Sequence, residues 1–259
     1  MKHVRFRDPA GSVREGRWVD TDGTPAGTEV AGVGGHVAFA DRTYDPAEVT
    51  VLPPVEPTKI VCVGLNYADH AAERDSTVPD RPKLFLKPPN AVAAHGSAVP
   101  LLPGTDRIDY EAELGVVVGE QCRNVDPAEA MDAVRGFTCM VDVSNRDDQD
   151  VEQNWIRGKA FDNAAPIGPV VADPAAVPAD ASIELRLNGE VRQSSTRDQL
   201  IFPVPELVAE ITSYLTLEPG DVIATGTPAG VGPLSPGDTV EVTVEGVGTL
   251  RHTVVAPDG

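Results

Sequence analysis

The sequence predicts an α+β fold that is predominantly β. Short apolar or alternating runs typical of strands recur along the 259-residue chain. Only two segments carry helical periodicity with capping residues, so the regular strand–helix alternation of a doubly wound sheet is missing. The proline-rich stretch "VLPPVEPTK" is typical of a stiff linker. We therefore expect a small N-terminal β domain over residues 1–55 and a larger domain over residues 56–259.

Alternation predicts strands in the N-terminal segments "VRFRD" and "HVAFAD", which are separated by the turn-rich stretches "DTDGTPAGTEV" and "GVGG". Apolar runs too short for helices predict further strands in the larger domain: "IVCVG", "LFLK" (84–87), "ELGVVVG" (113–119), "GFTCMVDV" (136–143), "GPVVA" (168–172), "DVIATG", "TVEVTVEG" and "VGTLRHTVV". In "SIELRLNGEVRQ", Asn188-Gly189 between alternating segments indicates a two-residue hairpin.

Two segments favour helices. In "DPAEAMDAVRG", Asp126 is placed to cap the first turn, Pro127 follows at the first helical position and Gly136 ends the pattern. The segment "PVPELVAEITSYLTLEPGD" predicts a second, amphipathic helix that ends before Pro219.

The charge balance excludes some classes of partner. Forty acidic residues against 21 basic ones give a formal charge of −19, which argues against binding to nucleic acid or an anionic membrane. An acidic, lysine-poor surface suits concentrated salt, so we expect a halophilic source. No apolar run approaches the roughly 18 residues of a membrane span, and we expect a cytoplasmic protein. Three cysteines without metal-ligand spacing are expected to be buried free thiols.

The stretch "IDYEAELGVVVGE" places Glu111 and Glu113 two residues apart, on one face of a strand. Two such carboxylates repel, so their face is either open to water or holds a positive charge. Asp142 lies in the otherwise apolar "MVDVS", where unpaired burial would cost too much. Three carboxylates on adjacent strands would form an oxygen-only site suited to Mg²⁺, Mn²⁺ or Ca²⁺, and the absence of a His or Cys cluster argues against zinc.

The segment "VGLNYADHAAE" places His70 and Glu73 three residues apart. If Asn66 caps a short helix, Glu73 is placed to orient the imidazole so that His70 accepts a proton from water; an exposed surface pair is the alternative. Lys159 is flanked by small residues in "RGKAFD". The stretch "IATGTPAGVG" offers hydroxyls and backbone N–H groups suited to an anionic oxygen, without the ending of a phosphate loop.

Eight segments occur in the order found in the fumarylacetoacetate hydrolase superfamily, and they span residues 60–245: "VGLNYADHAAE", "KLFLKPPNAV", "DYEAELGVVVG", "GFTCMVDVSNRDDQ", "RGKAFD", "LRLNGEVRQ", "LEPGDVIATGTPAGVGPL" and "GDTVEV". The chain resembles the short members of that superfamily: acylpyruvases, oxaloacetate decarboxylases and 2-hydroxyhepta-2,4-diene-1,7-dioate isomerases. The resemblance implies a mixed β-roll or β-sandwich catalytic domain, a homodimer and a role in the catabolism of aromatic compounds.

The resemblance also assigns roles to residues. It makes Glu111, Glu113 and Asp142 the ligands of Mg²⁺ or Mn²⁺, and His70 with Glu73 a catalytic dyad on a mobile lid. It implies substrate contacts for the remaining candidates, with Lys159 also counted as catalytic: Arg146, Gln149, Lys159 and Thr227. Leu65 stands where acylpyruvases often carry arginine, so the substrate branch stays open.

The expected activity is metal-dependent hydrolysis or lysis of a C–C bond in a small 2-oxo acid, of the acylpyruvate or dicarboxylic type, through an enolate. The metal would act as a Lewis acid, and Lys159 would offset oxyanion charge. Two enzymatic alternatives remain: isomerisation with decarboxylation of a dienedioate, and dehydration of a 2-keto-3-deoxy sugar acid. An idle, metal-binding relative is a third.

Overall fold

The structure is a computed structural model that describes residues 1–20, 35–75 and 77–257. The predicted turn-rich stretches "DTDGTPAGTEV" and "GVGG" therefore lie almost wholly outside the described residues. The first strands are β1 (Lys2–Arg7), β2 (Val13–Asp20), β3 (Gly35–Phe39), β4 (Arg42–Tyr44) and β5 (Thr50–Val51).

Fifteen more strands follow within the described chain: β6 (Ile60–Gly64), β7 (Lys83–Lys87), β8 (Val92–Ala93), β9 (Ala98–Pro100), β10 (Ile108–Tyr110), β11 (Ala112–Val118), β12 (Val134–Val141), β13 (Ser144–Asn145), β14 (Ala165–Ala172), β15 (Ser182–Leu187), β16 (Glu190–Thr196), β17 (Val222–Ala224), β18 (Gly232–Pro233), β19 (Thr239–Val244) and β20 (Gly248–Val255). The α-helices of the described residues are α1 (Ala68–Glu73), α2 (Arg146–Gln149), α3 (Ile156–Lys159) and α4 (Val204–Thr212). The prediction of a predominantly β fold is confirmed.

The strands form three sheets. The largest has twelve strands and runs β4-β3-β2-β1-β14-β12-β11-β17-β6-β7, with β5 paired to β1 and β8 to β14. A five-stranded sheet, β16-β15-β19-β20-β9, packs on β12 and β14 of the first, and a three-stranded sheet joins β13, β10 and β18. Strand β1 pairs with β14, so the N-terminal strands continue the large sheet. The division at residue 55 stays a prediction.

The first predicted helix is wrong. The described segment contains only a 3₁₀ turn over Ala130–Ala133, and β12 begins at Val134. The apolar run from Val134 is buried between β11 and β14, and this pairing overrides the local helical signal. Gly136 lies inside β12 instead of ending a helix, and the position requires glycine because a Cβ there would lie 2.1 Å from the backbone oxygen of Ala172. The second predicted helix is confirmed as α4.

The predicted hairpin is also confirmed. Asn188 and Gly189 have φ values of 54° and 83°, the left-handed conformation that a two-residue hairpin loop needs at both positions. The three cysteines are buried and free, as predicted. Within the described ranges, the helices are too short or too polar to cross a lipid bilayer.

One buried histidine makes the core sensitive to acid. His252 on β20 is 0% exposed, and neither ring nitrogen has a hydrogen-bond partner among the described residues. Burial lowers the pKa of His252 from 6.5 to about 3. The folded state therefore binds the proton less readily than the unfolded state, so the stability contributed by neutral His252 is complete above pH 6.5 and is lost as the pH falls toward 3.

We expect His252→Leu to remove this acid sensitivity. Between pH 7.5 and about pH 4.5, the free energy of unfolding of the parent protein should fall by roughly 3 kcal/mol more than that of His252→Leu. Urea unfolding of both proteins between pH 7.5 and 4.5 measures the difference. His36→Gln, at a partly exposed position on β3, is the control. Parallel pH profiles for the parent and His252→Leu would contradict the prediction.

Candidate active site

Three buried carboxylates meet where two paired strands end. Glu113 lies on β11, Glu111 precedes that strand, and Asp142 directly follows its neighbour β12. Glu111, Glu113 and Asp142 are 7%, 1% and 0% exposed, respectively. One carboxylate oxygen from each lies within 4.8 Å of the other two. The face that Glu111 and Glu113 share is therefore closed to bulk water, and compensating positive charge is required.

Lys159 supplies part of that charge. Its Nζ donates to Glu111 Oε2 at 2.8 Å, to Asp142 Oδ2 at 2.7 Å and to Ser144 Oγ at 2.5 Å. Burial lowers the pKa of Lys159, but the carboxylates of Asp142 and Glu111 outweigh burial, and the net shift is upward. The lysine therefore stays charged, and all three of its N–H bonds are used within the cluster.

Arg146 is the second cation of the cluster. Its guanidinium donates to Glu111 Oε1 at 2.5 Å, to Asp109 Oδ2 at 2.9 Å and to Gln149 Oε1 at 2.5 Å. Burial raises the pKa of Glu111, yet the charges of Lys159 and Arg146 together lower it well below its ordinary range. Glu111 is therefore held ionised between two cations.

Lys87 is the third buried cation and touches Asp142 without a hydrogen bond. Its Nζ lies 2.7 Å from Asp142 Oδ1. Its donors, however, point to three backbone oxygens, those of Val143, Lys159 and Ala164, at 3.1, 2.6 and 2.9 Å. Asp142 Oδ1 is therefore buried without a hydrogen-bond donor among the described residues, although an ionic contact stabilises it.

Glu113 lacks a cationic partner of its own. Its Oε2 accepts one hydrogen bond, from the backbone N–H of Gly226 at 2.8 Å. Burial, followed by the charges of Asp142 and Glu111, raises the pKa of Glu113 well above its usual range. In the described residues, Glu113 is thus the carboxylate whose charge is least compensated.

The cluster suits a divalent cation. Asp109, Glu111 and Asp142 each form ion pairs with cations of the cluster, whereas Glu113 forms none among the described residues. The donor set is oxygen only, Asp142 Oδ1 lacks a donor and Glu113 lacks a counter-ion. Hard cations such as Mg²⁺ and Mn²⁺ bind oxygen ligands of this kind. The predicted ligands Glu111, Glu113 and Asp142 are therefore brought together as a group able to hold a metal.

The predicted dyad is formed on α1. His70 Nδ1 lies 3.1 Å from Glu73 Oε2, and Glu73 Oε1 accepts from the backbone N–H of Gly230 at 3.1 Å. His70 is buried, whereas the Glu73 side chain is 45% exposed, so the surface-pair alternative does not hold for His70. With Nδ1 engaged by the carboxylate, Nε2 is the ring atom available to a ligand.

The proposed capping role of Asn66 is wrong. Tyr67, not Asn66, precedes α1, and it makes no side-chain cap. The Asn66 amide instead donates to the backbone oxygens of Phe202 and Thr225 and accepts from the Phe202 N–H, at 2.8 to 3.2 Å. It thereby ties the start of the α1 segment to two other loops of the site.

A cavity of about 300 Å³ joins these groups. All predicted site residues except Glu73, which stands behind His70, line its wall: His70, Glu111, Glu113, Asp142, Arg146, Gln149, Lys159 and Thr227. Thr227 Oγ1 accepts from Gln193 Nε2 at 2.8 Å. Leu65, at the position where acylpyruvases often carry arginine, adds an apolar wall. The volume suits a small ligand.

Sequence reasoning missed several supporting residues. Lys87 is the most important, and the signal was present: one of five lysines closes the apolar strand "LFLK". Gln193 on β16 bonds the Ala112 N–H and Thr227, which ties the hairpin to the carboxylate strand. Ser144 and Asp109 follow no local pattern that marks them, because their roles depend on which strands pair.

Comparison with known proteins places this site in a family. Residues 59–255 match the family described as "Fumarylacetoacetate (FAA) hydrolase C-terminal". An uncharacterized protein of Archaeoglobus fulgidus is 50% identical over 210 residues, which cover 81% of this chain and 84% of that protein. The mitochondrial oxaloacetate tautomerase FAHD2A of Bos taurus is 41% identical over 221 residues, covering 81% of this chain and 70% of the relative.

Two solved structures share the fold. The 2-hydroxyhepta-2,4-diene-1,7-dioate isomerase of Mycobacterium marinum has a TM-score of 0.86 at 34% identity, over the whole of both chains. The fumarylpyruvate hydrolase of Pseudomonas aeruginosa, solved with Mn²⁺ and pyruvate, has a TM-score of 0.72 at 31% identity, over 93% of this chain and 96% of that one. The chain, with its three-carboxylate group and its His70–Glu73 pair on this fold, belongs to the fumarylacetoacetate hydrolase family.

Proposed function

We propose that this chain is a divalent-metal-dependent enzyme that moves a proton at the carbon next to the keto group of a small 2-oxo acid, with keto–enol interconversion of an oxaloacetate-type acid as its reaction. One observation carries the proposal: His70, backed by Glu73, lines the same small cavity as the three-carboxylate group. Enolisation needs a base that takes a proton from the substrate and a centre that stabilises the negative charge on the same substrate molecule. The name of the bovine relative, oxaloacetate tautomerase, agrees with this chemistry.

Glu111, Glu113 and Asp142 would hold Mg²⁺ or Mn²⁺ in this proposal. The bound cation supplies a Lewis acid that stabilises negative charge on the oxygens of a 2-oxo acid. Lys159 and Arg146 fix the carboxylates of Glu111 and Asp142 through the hydrogen bonds described above, so the ligand oxygens are positioned in advance. Lys159 has no N–H left over, and its role here is to hold the ligands.

His70 moves the proton. Its free Nε2 accepts the proton from C3, and the electron pair of the C–H bond forms the C2–C3 double bond while the keto oxygen gains negative charge. Glu73 stabilises the resulting imidazolium and fixes the ring through Nδ1. His70 then returns the proton to the oxygen, which yields the enol, or to carbon in the reverse direction.

Hydrolysis of an acylpyruvate is a second candidate. The structural neighbour named fumarylpyruvate hydrolase supports it, and the same dyad suits a water molecule as proton donor. Water would add to the distal carbonyl, the C–C bond would break, and its electron pair would leave as the pyruvate enolate. Both candidates use the same charge-stabilising centre, and they differ in whether water attacks.

The test compares both activities in metal-free and metal-loaded protein. We expect the decay of the enol absorbance of oxaloacetate to accelerate with protein plus Mg²⁺ or Mn²⁺, beyond the rate with the ion alone, and to fall after chelation to the rate without protein or ion. Pyruvate release from an acylpyruvate, measured in the same samples, reports hydrolysis. Full tautomerase activity in demetallated protein would overturn the metal-dependent proposal, and pyruvate release without tautomerisation would favour the hydrolase.

A further inference from the structure

Strand β7 presents three side chains to the site at different depths. Side chains alternate along a strand, so Lys83, Phe85 and Lys87 share one face. Lys87 lies deepest, against Asp142, and Phe85 lies beside Lys159, whose Nζ is 5.0 Å from the centre of the ring. Lys83 is the outermost and is solvent-exposed, yet it lines the same cavity as the carboxylate group.

An aromatic platform positions Lys83. Its Nζ lies 3.9 Å from the centre of the Trp155 ring, a cation–π contact, and Trp155 packs edge-on against Phe85 at 5.3 Å. Trp155 has a left-handed backbone (φ 57°) and immediately precedes α3, the helix that ends at Lys159. Gly64, opposite Lys83 in the sheet, lies beside both side chains, since a Cβ built there would be 3.7 Å from the Trp155 ring and 3.8 Å from Cδ of Lys83.

The charge of Lys83 is uncompensated. Among the residues that the structure describes, Lys83 makes neither an ion pair nor a hydrogen bond, whereas Lys87 and Lys159 each have several partners. Neither the carboxylate group nor the dyad uses it. A cation that is held over an aromatic ring, facing a ligand cavity, is suited to an anionic group on the ligand.

We propose that Lys83, held over Trp155, binds a second carboxylate at the far end of the substrate, so that the site prefers dicarboxylic 2-oxo acids to monocarboxylic ones. This inference rests on the proposed function, because it takes the 2-oxo acid end of the ligand to lie at Glu111, Glu113 and Asp142. It makes Lys83 a specificity-determining residue. The carboxylate group and the proposed selecting residue then lie at different depths of one cavity.

Two five-carbon acids that differ only at the far end provide the test: 2-oxoglutarate and 2-oxopentanoate. The chain contains two tryptophans, and Trp18 is buried on β2 in the N-terminal strands. Trp18→Phe therefore leaves Trp155 as the single reporter, and its fluorescence is titrated with each acid in the presence of Mg²⁺. We expect the dicarboxylic acid to bind at least about tenfold more tightly, the effect of one charge-assisted contact.

Lys83→Met in the same background should remove most of that preference, and Lys83→Arg should keep it. Arg74 is a second exposed cation that lines the cavity. A preference that survives in Lys83→Met, or that disappears in Arg74→Met instead, overturns the inference, as does equal binding of both acids by the parent. Failure of both acids to bind in the presence of Mg²⁺ would instead contradict the proposed function on which the inference rests. Circular dichroism of each variant verifies that the fold is kept.

Discussion

Glu113→Gln is expected to abolish metal-dependent activity without weakening the metal-free protein. Glu113 is the carboxylate of the cluster without a cationic partner, and glutamine keeps an acceptor for the Gly226 N–H. Loss of this metal ligand should lower turnover of the 2-oxo acid by roughly 10³-fold, because a Lewis acid stabilises the transition state by several kcal/mol. The rise in melting temperature on adding Mn²⁺ to the parent protein should disappear as well, because binding to the folded state is its cause.

Stability in the absence of metal separates this effect from simple damage. Burial and the neighbouring carboxylates of Asp142 and Glu111 disfavour a charge on Glu113, and glutamine carries none, so the melting temperature of metal-free Glu113→Gln should equal or exceed that of the parent. Glu190→Gln, the same change at an exposed position of the hairpin, is the matched control. An undiminished response to Mn²⁺ in Glu113→Gln would show that Glu113 is not a ligand.

Other ligand substitutions would test the fold as much as the metal. Asp142→Ala would leave Lys87 and Lys159 buried with one fewer anion, and breaking a buried pair typically costs about 3–5 kcal/mol. Glu111→Ala would do the same to Arg146 and Lys159. The ligand cluster is therefore part of the interior of the β scaffold, and loss of activity in those variants has two causes that only a stability measurement distinguishes.

The parts of the fold that follow local rules could be predicted from the sequence. The Asn188-Gly189 hairpin and the amphipathic α4 are examples, because turn geometry and a single apolar face determine each of them. The segment beginning at Asp126 failed for the opposite reason. Its capping residues are consistent with a helix, but Val134 and the residues after it are more stable paired between two buried strands, and local signals carry no information about such partners.

The site, like the fold, has a part that could be predicted from local sequence and a part that depends on which strands pair. Glu111, Glu113 and Asp142 could be grouped from the sequence because carboxylates inside apolar strands need a reason, and β11 and β12 are neighbours along the chain. Lys87 lies on the edge strand β7 and contacts Asp142 at the end of β12, although β11, β17 and β6 lie between these two strands in the sheet. The compensating charge therefore depends on topology, which no spacing in the sequence encodes.

The final prediction concerns the dyad. His70→Gln should lower tautomerisation of oxaloacetate by about 10² to 10⁴-fold, the contribution of a general base, while the Mn²⁺-induced rise in melting temperature persists. Glu73→Gln should act through the same imidazole, because its carboxylate contacts His70 Nδ1 at 3.1 Å. The double variant should therefore be barely slower than His70→Gln alone, and a double-mutant cycle of turnover rates measures this coupling.

The cycle also separates the two candidate reactions, because they place the dyad differently. If His70 takes the proton from C3, as proposed, tautomerisation should fall by the full general-base factor. If His70 serves mainly to activate water, hydrolysis should fall while tautomerisation is largely kept. Independent, multiplicative losses from His70→Gln and Glu73→Gln would mean that the 3.1 Å contact does not couple them, and the dyad assignment would then fail.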